Sequence, residues 1–240
     1  MTTGALAFEK PLQRDLRATW TQALVSFLSP IFLVVLIRIL IVEPFVIPSG
    51  SMIPTLLVHD HILAEKWAYG LHVPGIDAFV LKWANPKTFD IVVFRYPKNP
   101  DVFFVKRVIG LPGDEISVHE GNLKINGKEI PQELMTEVKN WPIEMDSRFA
   151  YFNEAGHVVR FEDKNDSSFH ELKVPAGFLF VMGDNRDQSS DSRVWGFVPI
   201  NNLIGRVSRV WLSCRETLPS ANYICNPQTL RWDRILISVP

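Results

Sequence analysis

The sequence predicts a mainly β protein: an antiparallel, coiled, barrel-like sheet with a smaller β subdomain inserted in it, behind one N-terminal transmembrane helix. Three observations predict it. One apolar run near the N-terminus is long enough to span a bilayer. The rest of the chain divides into short segments rich in β-branched and aromatic residues. Turn-forming stretches separate those segments, and Pro outnumbers Gly, 17 to 13, in 240 residues. No amphipathic helical pattern of any length appears after residue 45.

The apolar run is Ala23 to Val42, ALVSFLSPIFLVVLIRILIV, in which Ser26, Ser29, Pro30 and Arg38 are the exceptions. Arg38 lies near one end, where a long side chain can snorkel to the interface. A cleaved leader would have an apolar core of only about 7–15 residues and a small-x-small cleavage site. EPFVIPSG follows here without that pattern, so the run reads as an uncleaved anchor. Lys10, Arg14 and Arg17 precede it, and the far flank has no Lys or Arg until Lys66. The positive-inside rule therefore puts residues 1–22 in the cytoplasm as a tail, 23–42 in the membrane and 43–240 outside.

Beyond the anchor, HILAEKWAY (61–69), DIVVFRYP (90–97), FFVKRVIG (103–110), FLFVMGD (178–184) and LIGRVSRVWLS (203–213) read as strands of the main sheet. A second strand group, EISVHEGNLKINGKEI and GHVVRFED, marks the inserted β subdomain at about 115–175. A net charge of −1 gives no footing for nucleic-acid binding. Cys214 and Cys225 are the only cysteines. Outside the cytoplasm they could close a disulfide around RETLPSANYI, or they could be two buried thiols; the sequence leaves both open.

Chemistry concentrates in three stretches. In IPSGSMIPTL, Pro48 and Pro54 stiffen the backbone around Ser49 and Ser51, and Gly50 permits a sharp bend. Such a bend can present a serine hydroxyl and a backbone N–H to one substrate atom, though it also describes an exposed turn. A nucleophilic serine needs a base. None of the six histidines, His59, His61, His72, His119, His157 and His170, sits in a recognisable Ser-His-Asp pattern. No metal motif is present, and neither a metal nor a cofactor is expected. Strand FFVKRVIG offers Lys106 instead, on the same face as Phe104 and Val108. Burial among those groups would lower its pKa towards neutrality, whereas exposure would leave it an ordinary strand lysine. The third stretch, MGDNRDQSSDSRVWGFVP (182–199), is a polar loop framed by apolar segments, the setting of a hydrogen-bonded network that positions a site.

Together the stretches resemble bacterial type I signal peptidases, membrane-anchored serine peptidases with a Ser-Lys dyad. IPSGSMIPTL resembles the nucleophile segment, YPKNPDVFFVKRVIGLPGD the lysine segment and MGDNRDQSSDSRVWGFVPINNLIGR the long C-terminal signature, in the family's order behind an anchor ending in EPF. The closing LRWDRI is similar to the family's last strand. The resemblance implies Ser51 as nucleophile and Lys106 as general base. It implies that Ser49 donates to the oxyanion hole with the Ser51 N–H, that Ser189 orients Lys106, and that Asp191 and Arg193 form a supporting ion pair. Asp184 and Arg186 would be further structural members of the loop. Phe45, Ile47, Pro48, Met52, Leu56 and Val105 would line pockets that favour small residues, Ala-x-Ala, before the cut.

The partners implied are secretory preproteins and the lipid bilayer, with the chain working as a monomer. The implied location is the cell inner (cytoplasmic) membrane, with the catalytic domain on the outer, periplasmic side. Two positions depart from the pattern. His59-Asp60 stands where Gly-Asp is usual, and Thr88-Phe89-Asp90-Ile91-Val92 where Arg-Gly-Asp-Ile-Val is usual. Two other readings remain: a specialised Ser-Lys maturation peptidase of a conjugation or pilus system, and a non-enzymatic, membrane-tethered β scaffold.

Overall fold

A computed structural model describes residues 19–72, 79–136, 145–162 and 168–240; most of the expected cytoplasmic tail lies outside them. The chain divides into two compact units, 1–37 and 38–240. The first carries most of α1 (Trp20–Leu40), which contains Pro30 and ends in a turn bearing Arg38. Its apolar side chains, Leu24, Val25, Phe27, Phe32 and Val34 among them, are exposed. Among the described residues no helix is long and apolar enough to cross a membrane.

The second unit is built of short strands. β1 (Val42–Val46) and β2 (Asp60–Glu65) flank the proline-bounded turn, and β3 (Gly70–His72) and β4 (Phe79–Lys82) pair with each other. Then come β5 (Ile91–Tyr96) and the long β6 (Asn99–Gly110). The region expected as an insertion holds β7 (Glu115–His119), β8 (Asn122–Ile125), β9 (Lys128–Glu129), β10 (Gln132–Met135), β11 (Ala150–Glu154), β12 (His157–Phe161) and β13 (Phe169–Lys173). β14 (Phe178–Met182), the single turn α2 (Ser192–Trp195), β15 (Val198–Pro199) and β16 (Leu203–Ser213) follow. β17 (Thr217–Leu218), β18 (Ala221–Cys225) and β19 (Ile237–Ser238) complete the order.

Eight strands form the main sheet in the order β1-β2-β16-β5-β6-β14-β15, with β19 added against β16. Every pairing within it is antiparallel. β7–β9 with β13 make a separate four-stranded sheet, and β10–β12 a three-stranded one. The main sheet coils but does not close, since its path ends at β1 and β15. β1 and β6 stand four places apart, yet the Phe45 and Phe103 rings meet at 5.4 Å. Side chains, not a hydrogen-bonded ladder, bridge that gap, and the expected barrel is not closed.

Why the central strands are continuously apolar follows from β5. Ile91 and Val93 pack on one face with Ile62, Val207 and Val210, while Val92 and Phe94 pack on the other with Val108, Leu179 and Val181. A strand covered on both faces has no solvent side on which to alternate polar residues. β6 uses the same two faces, with Val105 against the first cluster and Phe104 against the second.

Both departures from the family pattern have a backbone meaning. His59 and Phe89 adopt φ of 67° and 74°, in the left-handed region that glycine occupies without penalty. A side chain there costs about 1–2 kcal/mol. Each position recovers part of that cost: His59 Nδ1 lies 3.0 Å from the Arg215 carbonyl oxygen, and the Phe89 ring lies 5.0 Å from that of His157. Cys214 and Cys225 are joined in a disulfide, Cα atoms 5.6 Å apart, which settles the alternative the sequence left open.

Candidate active site

Ser51 and Lys106 are brought together from opposite sides of the open coil. Ser51 lies in the turn after β1, held by backbone bonds from Ile53 N to Gly50 O and from Leu56 N to Met52 O. Lys106 rises from β6, where Val92 of β5 is its register partner. Its Nζ is 2.7 Å from Ser51 Oγ and donates to the Val105 carbonyl at 3.0 Å. The ammonium end also sits over the Phe104 ring, 5.4 Å from its centroid, as strand alternation requires. Lys106 is 5% exposed. Burial lowers its pKa to about 8, outweighing the opposing pull of Asp191 and Asp184.

The two groups open onto a cavity of about 770 Å³ between β1 and β6. Phe45, Ile47, Pro48, Met52 and Val105 line it as expected, and so does the exposed Ser49. Leu56 does not. It is fully buried in the core under β1 and β2, because the turn that lifts Ser51 outward directs Leu56 inward. Both edges facing the cavity lack strand partners among the described residues. β1 pairs only with β2, and β6 pairs with β14 only from Arg107 onward.

Three sequence motifs meet in one buried network. Arg107 grips Asp184 with two bonds of 2.8 Å, Nε to Oδ1 and Nη2 to Oδ2. Thr55 of the serine turn donates its hydroxyl to Asp184 Oδ2. Arg107 and Asp184 are each 1% exposed. Burial alone would raise the Asp184 pKa, but Arg107 holds it below the ordinary carboxylate value. A second tie comes from Asn185, whose backbone N–H donates to Ser51 O at 3.1 Å and whose Nδ2 donates to Gly50 O at 2.9 Å. The loop after β14 thus positions the Ser51 backbone directly.

The expected ion pair of Asp191 and Arg193 is present, with Nη2 to Oδ2 and Nε to Oδ1 both at 2.8 Å. Asp191 also caps α2 and accepts from Gly183 N at 3.0 Å. Arg186 pairs not within its own loop but with buried Glu154 at the end of β11. β12 is stitched to the same loop, Arg160 N donating to Asp184 O and Arg186 N to Arg160 O. Ser189 makes no hydrogen bond to Lys106. Its Oγ is buried without a hydrogen-bond partner beside Gly183 and the Ser51 carbonyl.

Thr55, Arg107, Gly183, Asn185 and Glu154 were not singled out from the sequence. All but Glu154 carried a positional hint: Thr55 within IPSGSMIPTL, Arg107 adjacent to Lys106, and Gly183 and Asn185 within GDNRD. Gly183 shows what the crowding demands, since a Cβ there would meet Ser189 Oγ at 2.2 Å and Ser51 O at 2.4 Å. Gly183→Ala is expected to lower turnover more than tenfold by displacing the Ser51 backbone, because misplacement of about 1 Å can cost about 10²-fold. Steady-state kinetics check this, and turnover within twofold of the parent would contradict it.

Among the described residues one trio has metal-ligand geometry: His61, Cys214 and Cys225, with ligand atoms within 4.8 Å. Both sulfurs are committed to the disulfide, so the trio offers no thiolate.

Residues 20–212 match the family model for signal peptidase, peptidase S26. The chain is 40% identical to the signal peptidase I of Pseudomonas fluorescens, over 84% of this chain and 75% of that one. Identity to the Pseudomonas aeruginosa signal peptidase I is 39%, over 78% and 71%. A solved signal peptidase I from Enterococcus faecalis is 31% identical over 51% of this chain and 97% of that one, with a TM-score of 0.35.

Proposed function

The chain belongs to the signal peptidase family, peptidase S26, and from that premise we propose that it is a membrane-anchored serine endopeptidase that cuts signal peptides from secretory preproteins after small residues, with Ser51 as nucleophile and Lys106 as its general base. Signal peptidase activity, a hydrolysis, is the family's own. The observation that carries the mechanism is the 2.7 Å approach of Lys106 Nζ to Ser51 Oγ in a site where burial favours the neutral amine.

Neutral Lys106 takes the Ser51 proton as Oγ attacks the scissile carbonyl. The Ser51 N–H and the Ser49 hydroxyl, which reaches the same cavity, steady the oxyanion. Protonated Lys106 then gives its proton to the leaving amine, and water activated by the same lysine frees the acyl-enzyme. Asp184, Asn185, Asp191 and Arg193 hold the framework, and Ser189 keeps its place by packing against Gly183. The unpartnered edges of β1 and β6 suit an extended peptide, which can add as a strand with small side chains entering between Phe45, Ile47, Met52 and Val105.

The base sets the pH dependence. Lys106 is inactive when protonated, so kcat/KM should climb with pH through about 8 and fall about tenfold per unit on the acid side. A rate that stays flat down to pH 6 would rule lysine out as the base.

Residues 23–42 serve as the anchor in this reading, with the N-terminus cytoplasmic and the catalytic unit on the outer side of the inner membrane. The apolar run, its basic flank and the disulfide support that assignment. Alkaline extraction of membranes checks it: the chain should stay with the lipid, and release into the supernatant would refute an integral anchor.

A further inference from the structure

Besides Lys106, the charged residue lining the cavity is Asp101, near the start of β6. Its side chain is exposed, and it forms no ion pair among the described residues; its backbone N–H donates to Asn99 Oδ1. Three buried carboxylates of this unit are by contrast committed, Asp184 to Arg107, Asp191 to Arg193 and Asp60 to Arg234. Between Asp101 and Lys106 the cavity wall is Val102, Phe103, Phe104 and Val105, apolar throughout. A carboxylate at the far end of an apolar trough, held in no ion pair among the described residues, acts on whatever charge the bound peptide carries there.

We propose that Asp101 is a specificity-determining residue that selects preproteins with a basic residue, and rejects those with an acidic one, about five residues before the scissile bond. The inference rests on the reading of the cavity as the cleft for an extended peptide. The position follows from strand geometry. Asp101 lies five residues before Lys106 on one strand, about 16 Å along it at ~3.3 Å per residue. A peptide laid along the open edge of β6, with its scissile carbonyl at Ser51 and its preceding residues running past Val105, brings its fifth or sixth residue before the cut level with Asp101. Attraction of Lys and repulsion of Glu at a rim carboxylate are individually small. Their combined effect is about fivefold in kcat/KM between the two substrates, and it weakens with salt because the site is wet.

The test uses the full chain in detergent and three preproteins identical except for Lys, Gln or Glu five residues before the cut. The expected order for the parent enzyme at low salt is Lys, Gln, Glu, spanning about fivefold. The ratio should approach one in Asp101→Asn and in 0.5 M salt, and invert in Asp101→Lys. A Lys/Glu ratio that is unchanged in Asp101→Asn overturns the proposal while leaving the peptidase reading intact. Failure to cut any of the three overturns the cleft reading, and this proposal with it.

Discussion

Replacing Ser51 with Ala, or Lys106 with Met, is expected to lower preprotein cleavage by at least about a thousandfold while the fold persists. The magnitude is that of removing a nucleophile or its base from a unit that acts together. For the same reason the double variant should be no worse than either single one. Lys106→Met keeps the length of the side chain and removes a buried amine, so thermal stability should hold or rise. Lys106→Arg should be equally inactive, because a guanidinium keeps its proton at any working pH and cannot serve as base. Single-turnover cleavage in detergent, beside a thermal melt, decides the matter. More than a tenth of parental activity in Lys106→Met would remove lysine from the mechanism.

The second large effect is on stability. Arg107→Ala or Asp184→Ala leaves the other charge buried and unpaired, which costs about 3–5 kcal/mol. In a domain of this size that is a fall in Tm of roughly 10 °C. Activity should fall as well, since the pair ties the serine turn through Thr55 to the strand of Lys106. Replacing both partners together, Arg107→Met with Asp184→Leu, should destabilise less than either single change, because no lone charge remains. A double-mutant cycle by thermal unfolding measures the coupling. Single variants that melt within 2 °C of the parent would show that the pair does not hold the site together.

Periodicity explains how much of this was legible. A covered strand such as DIVVF can be recognised from composition, and alternation along FFVKRVIG put Lys106 on the face of Phe104, whose ring its Nζ overlies. The Asp191 and Arg193 pair was implied by the family resemblance, and the structure shows its two members at the start of one helical turn. Leu56 lies in the core and not on the cavity because a turn obeys no simple period: five residues after Ser51 the chain has already re-entered the core. Ser189 was expected to bond Lys106, but its Oγ has no hydrogen-bond partner and lies beside Gly183.

By itself the sequence determined the local structure and chemistry: short strands from β-branched and aromatic runs, a stiff turn between Pro48 and Pro54, and a serine and a lysine with support in a polar loop. Only the tertiary structure decided the pairings across long separations. Asp184 bonds Arg107, 77 residues away, and Arg186 bonds Glu154, 32 residues away. The bonding of Cys214 to Cys225 was likewise decided by their approach in the fold. The physical reason is that each isolated charge could choose among many partners of opposite sign. Which partner it meets depends on how the sheet coils, and that coil is set by packing on both faces of β5 and β6 at once.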